Sequence, residues 1–103
     1  ILLDQILDAP HISKYNTSVW AQYSIRIKNR SDVMQKLKSK GIPTAVHYPI
    51  PLHLQKCFEY LNYNVGDFPI SEIVSNEIMS LPMNPYLTNS EQEYIIDEFK
   101  KIL

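Results

Sequence analysis

Glycine is almost missing from this chain: Gly41 and Gly66 are the only two among 103 residues. Loops that cradle phosphate need several, because their backbone amides must approach the anion closely and turn through positive φ. A nucleotide-binding fold of the chain's own is therefore not expected. Cysteine is scarcer still, and the lone Cys57 rules out an internal disulfide. It reads as a small buried hydrophobe in a reducing, cytoplasmic setting. An excess of one charge is also lacking, since the net charge is −1 with acids and lysines interspersed. Neither nucleic acid nor an anionic membrane is suggested as a partner. Long apolar runs are absent too. The opening residues 1–8 are too short and too acidic for a signal peptide or a span. The paired-histidine spacing of zinc hydrolases is not found, and neither metal ligation nor a local nucleophile signature is indicated.

What is present fits one modest globular core, with 45% of the residues hydrophobic and 20% charged. Residues 1–7 have helical spacing that Pro10 must end. The chain opens in mid-pattern without an initiator methionine, which reads as a fragment whose first 14 residues are the end of an interdomain helix and a linker. Val19, Ala21, Tyr23, Ile25 and Ile27 then alternate with Trp20, Gln22, Ser24, Arg26 and Lys28, a period of two that predicts a strand. Its second face, with an indole beside a guanidinium, suits local polar pairing and an interface equally well.

Ser31 is placed to cap a helix over 32–40, with Val33, Met34 and Leu37 inward and Gly41 past its end. A second strand is expected at 44–47 and one irregular helical turn within 54–63. Pro69 opens a helix with Ile70, Ile73, Val74 and Ile78 on one face. A brief edge strand follows at 79–83, closed by Pro82 and Pro85. Thr88-Asn89-Ser90-Glu91 is a capping box for a last helix with Ile95, Ile96, Phe99 and Ile102 or Leu103 inward. These elements predict an α+β fold: a small, mostly antiparallel sheet covered on one face by helices.

The segment Gly41-Ile-Pro-Thr-Ala-Val-His-Tyr-Pro-Ile-Pro-Leu-His53 carries two of the chain's three histidines and a tyrosine on a proline-stiffened path. Such a connector presents polar side chains at little entropic cost on binding. Taken singly, each histidine reads first as a surface or hydrogen-bonded structural residue, and His11 is left there.

This segment resembles the C-terminal domain of the DegT/DnrJ/EryC1/StrS pyridoxal-phosphate sugar aminotransferases. Thr17-Ser-Val-Trp-Ala-Gln-Tyr-Ser-Ile-Arg26 with Asn29-Arg-Ser-Asp32, Gly66-Asp-Phe-Pro69 with Glu72, and Ser80-Leu-Pro-Met-Asn-Pro-Tyr-Leu-Thr88 agree in order and spacing. The resemblance covers residues 15–103 and is nearest the branch acting on UDP-linked 3-keto hexuronic acids. It implies that His47, Tyr48 and His53 face a substrate cleft and donate hydrogen bonds to oxygens of a nucleotide sugar. It implies amino transfer from glutamate to a keto sugar for glycan or surface-polysaccharide synthesis, in a homodimer. Pyridoxal phosphate and its lysine would belong to a large N-terminal domain, so no catalytic or cofactor-binding residue falls within this chain. Asn84 stands where relatives often carry histidine. The competing expectation is a free-standing α+β interaction module without catalytic activity.

Overall fold

The alternation at 19–28 resolves into a shorter strand than its period suggests. In the computed structural model, which describes residues 8–103, β1 is Tyr23–Arg26. Trp20 adopts φ 49°, which is outside strand geometry, and Val19 is 93% exposed. The expected helix over residues 1–7 lies outside the described residues.

Helix α1 (Arg30–Ser39) begins earlier than the reading from Ser31. Its N-cap is Asn29 in the left-handed region, a conformation that asparagine tolerates better than most residues. The carbonyl of Asn29 accepts from the amides of Asp32 and Val33. The other end behaves as expected. Gly41, at φ 75°, donates to Lys38 O and Ile42 donates to Leu37 O, both at 3.0 Å, which is a Schellman motif. Leu37 and Ile42 are both buried, so the apolar contact that accompanies this motif is also available.

Two 3₁₀ segments follow, at Leu52–Leu54 and Lys56–Leu61, where one irregular turn was expected. Cys57 lies in the second and is exposed, against the buried reading, because a short 3₁₀ turn on the surface hides little. Helix α2 (Pro69–Glu77) starts at its proline as expected, yet Ile70 is 77% and Ile73 50% exposed. The helix runs straight into β2 (Ile78–Leu81), and the Arg30 guanidinium donates to the carbonyls of Ser75 and Ile78 near its end. That places a cation where the helix dipole is negative.

Strands β1 and β2 pair antiparallel, with Ile25 opposite Met79 and Ser24 opposite Ser80. Single antiparallel bridges add Asp8 beside Arg26 and Ala45 beside Ser80. Strand β2 is therefore paired on both sides and is not an edge. The expected strand at 44–47 shrinks to the Ala45 bridge, whose two bonds to Ser80 are 2.8 and 3.1 Å. Pro43 and Pro49 lack amide hydrogens and limit any extension of that ladder.

The last helix, α3 (Asn89–Ile102), carries the reciprocal capping box between Thr88 and Glu91. Ile25, Met79 and Leu81 meet Val33 and Leu37 of α1 and Phe99 of α3 in the core. Phe99, Ile25, Leu37 and Met79 are almost completely buried, each worth roughly 1.5–3 kcal/mol of transfer free energy. The chain is thus an α+β fold, with a small antiparallel sheet covered on one face by helices.

The opposite face is polar and locally satisfied. Ser24 and Ser80 share a hydrogen bond of 2.9 Å, and Arg26 pairs with Asp8 at 3.2 Å and Glu77 at 2.7 Å. Arg26 therefore follows the local-pairing reading of that face. Among the described residues no helix is long and apolar enough to cross a membrane.

Candidate functional site

After the Schellman turn the chain passes the Ala45 bridge and reaches His47, which is half-buried. His47 Nδ1 lies 3.3 Å from Ser80 Oγ, the same hydroxyl that bonds Ser24. Its Nε2 has no partner among the described residues and remains available to a ligand. Tyr48 follows across a cis peptide, stands edge-on to the His47 ring at 5.8 Å and is 70% exposed.

Both residues line a groove of about 510 Å³. Ile50, Leu52, Phe58, Leu61, Tyr63 and Phe68 give it apolar walls, while Ser71, Val74, Ser75 and Ile78 bring in α2 and the start of β2. A largely apolar concavity with a few convergent polar groups is the usual form of a small-molecule site.

His53 lines the same groove, so the three residues expected from sequence converge there. Its situation differs from that of the other two. The side chain is only 7% exposed, packs against Phe68 at 4.8 Å and places Nε2 3.0 Å from Glu72 Oε1. Tyr63 extends this cluster, edge-on to Phe68 at 5.0 Å.

Glu72 binds more than the histidine. Its carboxylate accepts the Gly66 amide at 2.8 and 3.0 Å, and the Phe68 amide at 3.4 Å. The Gly66 amide is the chief reason this carboxyl lies below the usual glutamate range; desolvation opposes it and comes next, and the His53 and Phe68 contacts add to the lowering. One side chain thus ties together the 3₁₀ segment, the 62–68 loop and α2. Sequence reasoning placed Glu72 in a motif without giving it a role. An acid in the first turn of a helix, just after a glycine-bearing loop, was the available signal.

Ser80 was likewise missed as a partner of His47, because 33 residues separate them. Among the described residues no three histidine, cysteine, aspartate or glutamate side chains gather as a metal site would require. The groove can therefore hold an apolar body between its walls and offer hydrogen bonds at its mouth. His47 Nε2 and the Tyr48 hydroxyl are among the groups able to make them.

The sequence profile of the DegT/DnrJ/EryC1/StrS aminotransferase family matches residues 3–100. The chain is 42% identical over 80 residues to the "Pleiotropic regulatory protein" of Geobacillus stearothermophilus, covering 78% of this chain and 22% of that protein. It is 40% identical over 89 residues to the UDP-2-acetamido-2-deoxy-3-oxo-D-glucuronate aminotransferase of Pseudomonas aeruginosa, covering 86% and 24%. The crystal structure of a DegT DnrJ EryC1 StrS aminotransferase from Brucella abortus superposes with a TM-score of 0.86 at 38% identity, over 96% of this chain and 26% of that one. The chain spans about a quarter of the length of the curated relatives it matches.

Proposed function

This chain belongs to the DegT/DnrJ/EryC1/StrS aminotransferase family, and from that premise we propose that residues 15–103 form the substrate-cleft part of a cytoplasmic nucleotide-sugar aminotransferase. Residues 8–14 are the linker that leads into it. The amino group passes from glutamate to a nucleotide-linked keto sugar, for glycan or surface-polysaccharide synthesis, in a homodimer. The observation that carries this reading is the convergence of His47, Tyr48 and His53 on one groove.

Pyridoxal phosphate, the cofactor that the resemblance implies, does not fit the described residues. Its aldehyde needs a lysine amine, and no lysine lines the groove. Lys36 is paired with Asp32, while Lys40 and Lys101 are paired with Glu98. The cofactor's seat is accordingly assigned to polypeptide outside these residues.

The contribution of this chain is orientation. The flat imidazole of His47 and the phenol of Tyr48 lie against a sugar ring and hydrogen-bond its oxygens, while the apolar wall excludes water. Replacing His47 by alanine and Tyr48 by phenylalanine in the full-length protein tests this. Each variant is expected to lower kcat/KM for the keto sugar by roughly two- to twelvefold, the worth of one neutral hydrogen bond. Unchanged values in both would remove these residues from the site.

A second reading has one observation in its favour, the regulatory name of the Geobacillus relative. Under it the groove belongs to an interaction module without catalytic activity. Full-length protein that turns over no nucleotide-linked keto sugar would favour that reading.

A further inference from the structure

His53 and Glu72 are 19 residues apart, yet they form a well-shielded polar contact of the groove. An ionised carboxylate can only accept hydrogen bonds, so the His53 nitrogen facing it, Nε2, must carry a hydrogen. A neutral imidazole has one such hydrogen, which leaves Nδ1 as a bare acceptor. Nδ1 makes no hydrogen bond among the described residues. No fully buried side-chain nitrogen or oxygen there is without a partner, so Nδ1 is not completely sealed off, in a residue that lines the groove. Two backbone amides from the 62–68 loop hold the carboxylate in turn, and the Phe68 ring lies against the imidazole. The ring is therefore fixed both in place and in the choice of which nitrogen is protonated.

We propose that Glu72 is a positioning residue that holds His53 in its Nε2–H tautomer, so that Nδ1 faces the groove as an acceptor for a hydroxyl or ammonium group of the bound molecule. This rests on the substrate-groove reading. It reverses the donor role expected of His53 from sequence. Donation would come from His47 and Tyr48 at the mouth, and acceptance from His53 deeper in, so a sugar would be read by groups of both kinds.

Full-length protein labelled with ¹⁵N-histidine, observed by NMR at pH 8, tests the assignment, with the His53 signals identified by their loss in H53Q. The expected pattern is a pyrrole-type Nε2 and a pyridine-type Nδ1. E72A should average the two nitrogens through tautomer exchange, and E72Q, which keeps an acceptor oxygen, should restore the pattern. Should E72A not fold, E72D decides: its shorter side chain withdraws the carboxylate and should also lose the preference. An Nδ1–H tautomer, a doubly protonated ring, or an unchanged pattern in the folded E72A or E72D protein would overturn the proposal.

The acceptor role is tested with UDP-2-acetamido-2-deoxy-3-oxo-D-glucuronate. H53Q keeps a donor for Glu72 and removes Nδ1, so KM should rise roughly two- to twelvefold with kcat nearly unchanged. Unchanged KM sinks the acceptor role. Wild-type protein that fails to turn this compound over counts against the parent reading alone, because the tautomer is measured without substrate.

Discussion

The stop of α1 at Gly41 sets the direction in which the connector leaves, and its cost of substitution can be worked from two observations. Gly41 sits at φ 75°, and a Cβ built on it meets nothing within 4 Å. Packing therefore contributes nothing, and only the backbone term remains. An L-residue in the left-handed region costs roughly 1–2 kcal/mol. Loss of glycine's extra freedom in the unfolded chain returns about 0.4–1 kcal/mol. Gly41→Ala should thus destabilise by about 1 kcal/mol, a shift of roughly 4–8 °C in Tm for a domain of this size. Gly41→Asn should cost less, because asparagine visits this region readily, and Gly41→Val more, because β-branched residues hardly do. Urea denaturation followed by the fluorescence of Trp20, the chain's one tryptophan, measures the series. An alanine variant as stable as wild type, or asparagine costing as much as valine, would refute the backbone argument.

Phe99→Ala empties the centre of the core, where the ring is fully buried, and should cost about 3–5 kcal/mol by the same denaturation assay. Thr88→Ala removes the hydroxyl that accepts the Glu91 amide, and a loss of about 1 kcal/mol is expected in equilibrium unfolding. Acid should weaken the fold through three glutamates held below their ordinary range: Glu72 chiefly by the Gly66 amide, Glu91 by the Thr88 amide and Glu98 by the Lys101 ammonium. Their folded-state values are depressed, so the stabilisation is fully present above the unfolded glutamate value, roughly 4.3. It is lost as pH falls below that value and through the folded ones, and Tm measured from pH 6 down to pH 3 should show a decline that E72Q makes shallower.

Local signals in the sequence carried the furthest. The Thr88–Glu91 box and the glycine after α1 depend on neighbours within a few residues, and both appear as expected. The alternation around β1 overran because periodicity does not register a single backbone turn such as that at Trp20. The isoleucines of α2 share one face by their spacing, yet Ile70 and Ile73 stay exposed, since spacing shows that a face is apolar and not what covers it. Proline content marks the connector as a stiff path in sequence, and the residues it presents do line one groove. What the sequence could not show was the pairing of His53 with Glu72 and of His47 with Ser80, contacts made only once distant segments have been brought together. Those contacts separate a shielded histidine from a half-open one, although the two had looked alike.

The hydroxyl pair on the polar face of the sheet has a consequence for how this domain can vary. Ser24 touches Ser80, and Ser80 touches His47, so a residue on the first strand shares one chain of hydrogen bonds with the connector. A larger side chain at position 24 would displace the serine on which the imidazole rests, although position 24 lies 56 residues from its partner in sequence. Positions 24, 47 and 80 should therefore drift as a set: where a descendant of this chain exchanges one serine, the other serine and the histidine are the places to look for compensation.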